Sequence, residues 1–285
     1  MLGRKTEGSV VCPSCGLLVG VNDDECLNCG RKNPGLWGFA PVVVKLARGG
    51  IAFDQIVIVT CGILFALSLV IDPDGITRGG FNFLGPSSTA LRKLGASGVI
   101  PVLIEGRWWT LLSASWLHGG MLHIFFNMMW IRQLAPGVGE LYGVSRMIII
   151  YMISGVVGFS FSSFAVYIPI LSSFGPFRPG GITIGASAAV FGLLGAMVFY
   201  SRTSGSSMIG KQARGMAVLL FIFGLIFPGV DNWAHLGGFI GGYGASKWLD
   251  PLRPERLDHL VVALIFMGLT VLSVVLSMIF PIRPF

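Results

Sequence analysis

Charge is what this sequence has least of. Asp, Glu, Lys and Arg make up 12% of its 285 residues, about half the roughly 25% of a typical soluble domain. Histidine is scarce, at four residues, and cysteine numbers five. A soluble protein of this size could not clothe itself with so little polar surface, because 53% of the chain is hydrophobic. Disorder is excluded by the same figures, since a disordered chain is rich in charge and poor in apolar residues. So few cysteines exclude a disulfide-rich scaffold, and the 41 glycines are not those of a collagen. An integral membrane protein remains. The net charge of +7 does not point to nucleic acid. Its basic residues lie between apolar blocks, where they orient a membrane protein rather than form a patch.

What is present is a series of long apolar blocks. Residues 1–50 hold no apolar run after the first charges, so they do not read as a cleaved signal peptide. Seven blocks then approach the ~20 residues that a spanning helix needs. They fall near 52–71, 112–133, 147–168, 184–201, 214–230, 232–249 and 259–280. Between Met147 and Phe177 there is no charged residue. Pro228-Gly229 is a natural turn between the fifth and sixth blocks. With the N-terminus inside, fourteen Lys and Arg lie in inside segments, including Lys45, Arg48, Arg146 and Arg202. Six lie outside: Arg78, Arg92, Lys93, Arg107, Arg178 and Arg283. That bias predicts a cytoplasmic N-terminus and an external C-terminus. The outside segment 72–107 is rich in Gly, Pro and Ser, and its Gly106-Arg107-Trp108-Trp109 end belongs at the membrane interface.

Four cysteines form two pairs, Cys12-Pro-Ser-Cys15 and Cys26-Leu-Asn-Cys29, each followed by glycine. Two Cys-x2-Cys knuckles supply four thiolates for a tetrahedral zinc ion, and Gly16 and Gly30 permit the tight turns beneath it. Disulfides compete with this reading, but a cytosolic segment keeps its thiols reduced. The ten-residue gap suits a minimal zinc-ribbon-like knuckle whose folding energy comes mostly from the metal. Cys61, alone in the first block, is most simply a small buried apolar residue.

Ionisable groups inside spans are costly and mark function by default. The second block carries His118, His123 and Asn127, the last two on one helix face. The sixth opens with Asp231-Asn232-Trp233-Ala234-His235, and the fourth with Gly185-Ala186-Ser187-Ala188. The topology puts all of them in the outer half of the membrane. Taken singly, a serine can bond to its own helix, and a histidine or asparagine can glue two helices together. The glycines say more. Gly192 and Gly195 thin the fourth helix, and Gly237, Gly238, Gly241 and Gly242 line the sixth, so these helices can approach closely enough for Ser187 and His235 to hydrogen-bond. Nucleophilic catalysis needs that arrangement.

These motifs resemble the rhomboid intramembrane serine proteases. The matching residues are His118-x4-His123-x3-Asn127, Gly185-x-Ser187 and Ala234-His235-x2-Gly238-x3-Gly242, and Glu140-x2-Gly143-x2-Arg146, running into Tyr151, is similar to the loop after the family's second core helix. The resemblance covers roughly residues 50–250. It implies an all-α integral membrane fold with a six-helix rhomboid-like core over 51–250. A linker and seventh helix follow over 251–285, as in the six-plus-one subgroup. A cytosolic zinc knuckle over 1–35 and a linker over 36–50 precede the core. It further implies a Ser187–His235 dyad, with Ser187 as nucleophile and His235 as general base and then acid. Asp231 is not implied as a third member. Asn127 and His123 resemble the family's side-chain oxyanion donors, with the Ser187 backbone N–H, and His118 would support the site. Phe191, one turn after the serine, could stack under His235. The chain departs from the family at Ala188, where glycine is common, and at Trp109-Thr110, where an aromatic-arginine pair is expected; Arg107 is near.

The expected substrates are transmembrane segments of other proteins, cut in or near the bilayer where a helix unwinds readily. Catalysis needs no cofactor, and the knuckle would hold structural zinc and could recruit a cytosolic partner. The compact architecture suggests a bacterial inner membrane. Two alternatives compete: a non-catalytic rhomboid-like protein that escorts membrane clients, and a proton-coupled transporter with a histidine relay. The first characteristically loses the serine or histidine. For the second there is no inverted repeat and no mid-depth carboxylate.

Overall fold

A computed structural model describes residues 4–42, 44, 53–80, 83–168, 175–227, 229–253, 255–280 and 282. Lys45, Arg48, Pro228, Arg283, the first residue of the 52–71 block and parts of the 36–50 and 72–107 segments lie outside the described residues. At the N-terminus, β1 (Ser9–Val11) and β2 (Leu18–Gly20) form an antiparallel hairpin in the register Val10 to Val19. The first cysteine pair sits in its turn. Gly16 and Gly30 adopt φ of +76° and +69°, and their N–H groups bond the carbonyls of Cys12 and Cys26 at 2.9 Å. Both knuckles therefore turn in the same way, and a small core of Val10, Val19, Val21 and Ala40 packs behind them.

The rest is helical. The helices are α1 (Phe53–Ile71), α2 (Ser88–Leu94), α3 (Thr110–Ser113), α4 (Met121–Tyr142), α5 (Val144–Phe164), α6 (Ser187–Ser204), α7 (Ser207–Ile226), α8 (Asn232–Trp248) and α9 (Leu257–Ile279). Among the described residues, four stretches are long and apolar enough to cross a membrane: Phe53–Ile71, Val144–Tyr167, Ser207–Ile226 and Leu257–Ile279. The other long helices, α4, α6 and α8, carry the polar and glycine residues. Neighbouring helices cover most of α6 and α8, so their composition need not be uniformly apolar, whereas α4 keeps Leu122, Phe125, Phe126 and Met129 exposed. Lipid-facing side chains such as Val59, Ile63, Leu219, Ile222, Leu264 and Leu272 stay exposed on α1, α7 and α9.

Two expected spans are displaced: the fifth, expected near 214–230, is α7 and starts already at Ser207, and the second moves further. The 112–133 block is not one helix: residues 110–116 form short turns, the chain becomes extended at Leu117 and Gly120, and α4 starts only at Met121. It then continues through Pro136 to Tyr142. Gly119-Gly120 breaks the helix where apolar content alone did not. Pro136 is tolerated because the turns around it are fixed by packing: Leu134, Ala135, Val138 and Tyr142 are buried, and Tyr142 Oη donates to Ala196 O at 2.9 Å. His118 accordingly lies in the turn before α4 and not within a helix. The Glu140–Arg146 stretch is not a loop either. Gly143 joins α4 directly to α5, and Arg146 is buried in the first turn of α5. There it donates to the carbonyls of Leu249 and Asp250 while Glu255 accepts from its backbone N–H.

α8 is wedged between α5 and α6. A Cβ at Gly238 would collide with Ala188 O, one at Gly242 with Gly192 O, and one at Gly195 with Phe239 O. On the other side Gly237 and Gly241 press on Phe161 and Val157, and Gly158 of α5 faces Ala234 O. Backbone thus meets backbone on two faces of one helix, which is how helices associate where lipid offers no hydrophobic driving force. Gly242→Ala should lower the thermal midpoint in detergent, at a cost of ~1–3 kcal/mol from overpacking. Gly244→Ala, with open space at its Cβ, should be neutral or raise the midpoint through helix propensity.

Candidate functional site

Three helices begin around one cavity of about 950 Å³, lined by His123 and Asn127 of α4, Ser187 and Phe191 of α6, and His235 of α8, with Phe223 of α7 across from them. Ser187, His123 and His235 are delivered by the first turns of their helices, and Asn127 by the next turn of α4 after His123. Gly185 holds φ at +121° and its N–H donates to Ala114 O at 2.9 Å. The turn this creates makes Ser187 the first residue of α6. That places its N–H among those with no partner within the helix, at the positive end of the helix dipole. Asp231 caps α8, with Oδ1 accepting from Ala234 N–H at 2.9 Å. His235 follows in the same turn.

Ser187 Oγ lies 3.0 Å from His235 Nε2. The His235 ring stacks on Phe191, with centroids 4.3 Å apart and planes at 19°, which fixes the imidazole plane. His235 Nδ1 is buried without a hydrogen-bond partner among the described residues. Asp231 does not serve it, because its second oxygen accepts from Ser162 and Thr183. The geometry is that of a hydroxyl beside a ring nitrogen able to take its proton, with an aromatic face orienting the ring and, among the described residues, no carboxylate behind it.

The donors come from α4. His123 Nδ1 accepts from Gly119 N–H at 3.2 Å, so in the neutral ring Nε2 carries the proton and is a donor. Nε2 lies against Gly185, where a Cβ would be 2.6 Å away, so only glycine leaves the ring room beside Ser187. Asn127 donates one amide hydrogen to His123 O at 2.9 Å and has a second to offer the cavity. His118 does not line the cavity. It is 1% exposed, and its ring meets the His123 ring edge-on at 5.1 Å. The arrangement can activate a hydroxyl and hold a developing oxyanion close to it.

The reading of the sequence missed a second polar cluster. Glu105 pairs with both Arg92 and Arg107 under cover, and Arg107 Nη2 donates to Ser277 O at 2.8 Å. Burial pushes both arginine pKa values down, helped at Arg92 by the charge of Arg107. The carboxylate keeps the two cations satisfied. Arg107 thus anchors the 72–107 segment to α9 although Trp109-Thr110 lacks the arginine expected there. The available signal was Thr270, Ser273 and Ser277 in the otherwise apolar α9.

The four N-terminal thiols, Cys12, Cys15, Cys26 and Cys29, all lie within 4.8 Å of one another. Two pairs are 3.8 and 3.6 Å apart, and none is disulfide-bonded. A tetrahedral ion with metal–sulfur bonds of ~2.3 Å needs sulfurs roughly 3.8 Å apart, so the donor set fits a metal. Desolvation raises the pKa of the Cys12 thiol and pushes that of Cys29 up to about 12, whereas at Cys15 desolvation is outweighed by hydrogen bonds from Leu17 N–H and the Asn28 and Cys26 side chains, which bring the pKa down to about 7, so of these three only Cys15 is near ionisation without a metal. A metal ligand must be a thiolate.

Known proteins share this core. RHOMBOID-like protein 1 of Arabidopsis thaliana is 38% identical over 165 residues, 56% of this chain and 39% of that protein. Rhomboid protease GluP of Bacillus subtilis is 31% identical over 151 residues, 52% of this chain and 27% of its own length. Inactive RHOMBOID-like protein 8 of Arabidopsis thaliana is 30% identical over 163 residues, covering 55% and 42%. The aligned region spans less than half the length of each. With relatives in a plant as well as a bacterium, the expected bacterial inner membrane gains no support. The Rhomboid domain family model matches residues 105–251, just over half the chain and all of the cavity-lining residues of α4, α6 and α8. On that match, and with the cavity built as described, the chain is an integral membrane protein of the rhomboid family.

Proposed function

We propose that the chain is an intramembrane serine endopeptidase that hydrolyses peptide bonds in or near the transmembrane segments of other membrane proteins. The observation that carries this reading is the 3.0 Å contact between Ser187 Oγ and His235 Nε2 in a cavity shared with His123 and Asn127. Family membership alone would not carry it, because one relative is named inactive.

In this mechanism Ser187 Oγ attacks the scissile carbonyl carbon while its proton passes to His235 Nε2. The carbonyl oxygen gains the negative charge and is held by His123 Nε2–H, the Asn127 amide and the Ser187 backbone N–H. Collapse breaks the C–N bond, and His235 delivers the proton to the leaving amine. Water then attacks the acyl-enzyme, giving one proton to His235, which returns it to Ser187 Oγ as the acid leaves. His118 acts as a support, packing the His123 ring from behind. A helix satisfies its own backbone and resists cutting, so substrates with Gly or Pro in an upper turn that unwinds should be preferred.

The lysine and arginine bias supports a cytoplasmic N-terminus, with the cavity opening toward the other side. The proposed division is a knuckle over 1–35, a linker over 36–50, a catalytic core over 51–250, and a linker with the seventh helix over 251–285. Zinc is the metal proposed for Cys12, Cys15, Cys26 and Cys29, because four thiolates at tetrahedral spacing suit it. When bound it would supply folding energy and no chemistry.

Cleavage of a single-span substrate with a Gly-containing helix, followed in detergent and in liposomes, tests the reading. Ser187→Ala and His235→Ala should each abolish cleavage. Asn127→Ala should lower kcat by roughly 10²–10³ if its amide holds the oxyanion. A Ser187→Ala variant that still cuts would remove the nucleophile, and wild type inert toward several substrates would favour the client-escort reading. For the knuckle, metal analysis of the purified protein should find one zinc per chain, lost in Cys12→Ser and released more readily as pH falls, because protons compete for the thiolates. Full metal content in Cys12→Ser would rule out the four-thiolate site.

A further inference from the structure

Nothing in that mechanism uses α9, yet α9 makes polar contacts that a lipid-facing helix does not need. Its buried residues are Ala263, Thr270, Ser273 and Ser277. Thr270 Oγ1 donates to Phe266 O of its own helix at 2.9 Å, the usual fate of a hydroxyl in an apolar helix. Ser273 behaves differently. Its hydroxyl proton is shared between Trp109 O at 2.6 Å and Ser113 Oγ at 2.9 Å, both more than 150 residues away in the chain.

Ser113 stands at a fork. Its Oγ donates to Gly95 O at 2.7 Å. Two residues beyond Gly95, Ser97 exchanges both backbone hydrogen bonds with Thr183, at 3.1 and 2.7 Å. The residue after Ser113, Ala114, accepts from Gly185 N–H at 2.9 Å. The backbone from Thr183 to Gly185 is thus gripped from two sides by segments that meet at Ser113, and Ser187 lies two residues further on. No slack exists at the meeting point. A Cβ at Gly95, whose φ is +101°, would be 2.9 Å from Ser113 Cβ and 3.0 Å from Ser277 Oγ.

We propose that Ser273 of the seventh helix is a positioning residue for Ser187: through Ser113 it fixes the two segments that hold the Thr183–Gly185 backbone leading into the site. The inference rests on Ser187 being the nucleophile. Ser273 touches neither substrate nor reacting atoms. It sets where the serine hydroxyl sits relative to the His235 ring, a placement to which rate is steeply sensitive.

The test uses the full chain in detergent. It reads the rate at which a fluorophosphonate phosphonylates Ser187 with loss of fluoride, beside kcat and KM for the single-span substrate. Ser273→Ala and Ser113→Ala should each slow labelling and lower kcat by about tenfold, the effect of one buried hydrogen bond, and leave KM within about twofold. The double variant should lose less than the product of the two single losses, because the Ser273–Ser113 contact is counted in both while the bonds to Trp109 O and Gly95 O are each lost in only one. Thr270→Ala, on the same face but bonded only within its helix, should label like wild type. Wild-type labelling in Ser273→Ala overturns the inference. So does a loss in Thr270→Ala as large as in Ser273→Ala, since that would be general weakening of α9. If Ser273→Ala does not fold, Ser113→Ala reads the same contact from its other side, and wild-type kcat there overturns the inference equally. Failure of wild type itself to label removes the nucleophile, a result distinct from any of these.

Discussion

Backbone-to-backbone packing of α8 against α5 and α6 is the constraint on which the rest depends. Carbonyl groups of Ala188, Gly192 and Ala234 occupy the places where side chains of Gly238, Gly242 and Gly158 would stand. Only at that separation does a histidine on one helix reach a serine on the next with a single hydrogen bond of ordinary length. In lipid this contact cannot be driven by expelling water from apolar surface, so close van der Waals fit must supply the association. The Ser187–His235 geometry and the stability of the bundle are therefore consequences of the same row of missing side chains.

Much of this was legible because glycine and histidine are conspicuous in an apolar sequence. Gly185 before Ser187, and the glycines after His235, point to a close helix pair without any coordinates. Helical spacing alone sets Phe191 on the face of Ser187; its stacking under His235 came from the family resemblance. The cysteine pairs were equally plain, since spacing and the glycine after each pair define a knuckle locally. The second span was legible as apolar but not in extent. Its block ran through Gly119-Gly120, which ends regular structure, and stopped short of Pro136, which the packed helix passes straight through. Apolar content measures residence in the membrane and not where a helix starts.

The outer cluster was harder to read because its parts are far apart in the chain and unremarkable one by one. Glu105 sits among loop residues, Arg92 on a short helix and Ser277 near the end of α9. None has a periodic partner, and long-range pairing leaves no local trace. Serines in an apolar helix are ordinarily satisfied by their own backbone, so the stripe at 270, 273 and 277 looked unexceptional. Only the partner of each hydroxyl separates Thr270, turned inward to its helix, from Ser273, turned outward to Trp109 and Ser113.

The seventh helix is also held at its other end, where Leu257 N–H bonds Pro13 O in the first cysteine knuckle at 3.0 Å. Both of its grips are on segments that a ribosome makes long before it. A chain synthesised from the N-terminus threads α1 to α8 into the bilayer with the partners of α9 still waiting. The 72–107 segment then gains its hold on α9, and the knuckle its contact with Leu257, only after that helix has been made. The hydrogen bonds that brace the backbone leading to Ser187 are therefore among the last tertiary contacts the bundle can complete.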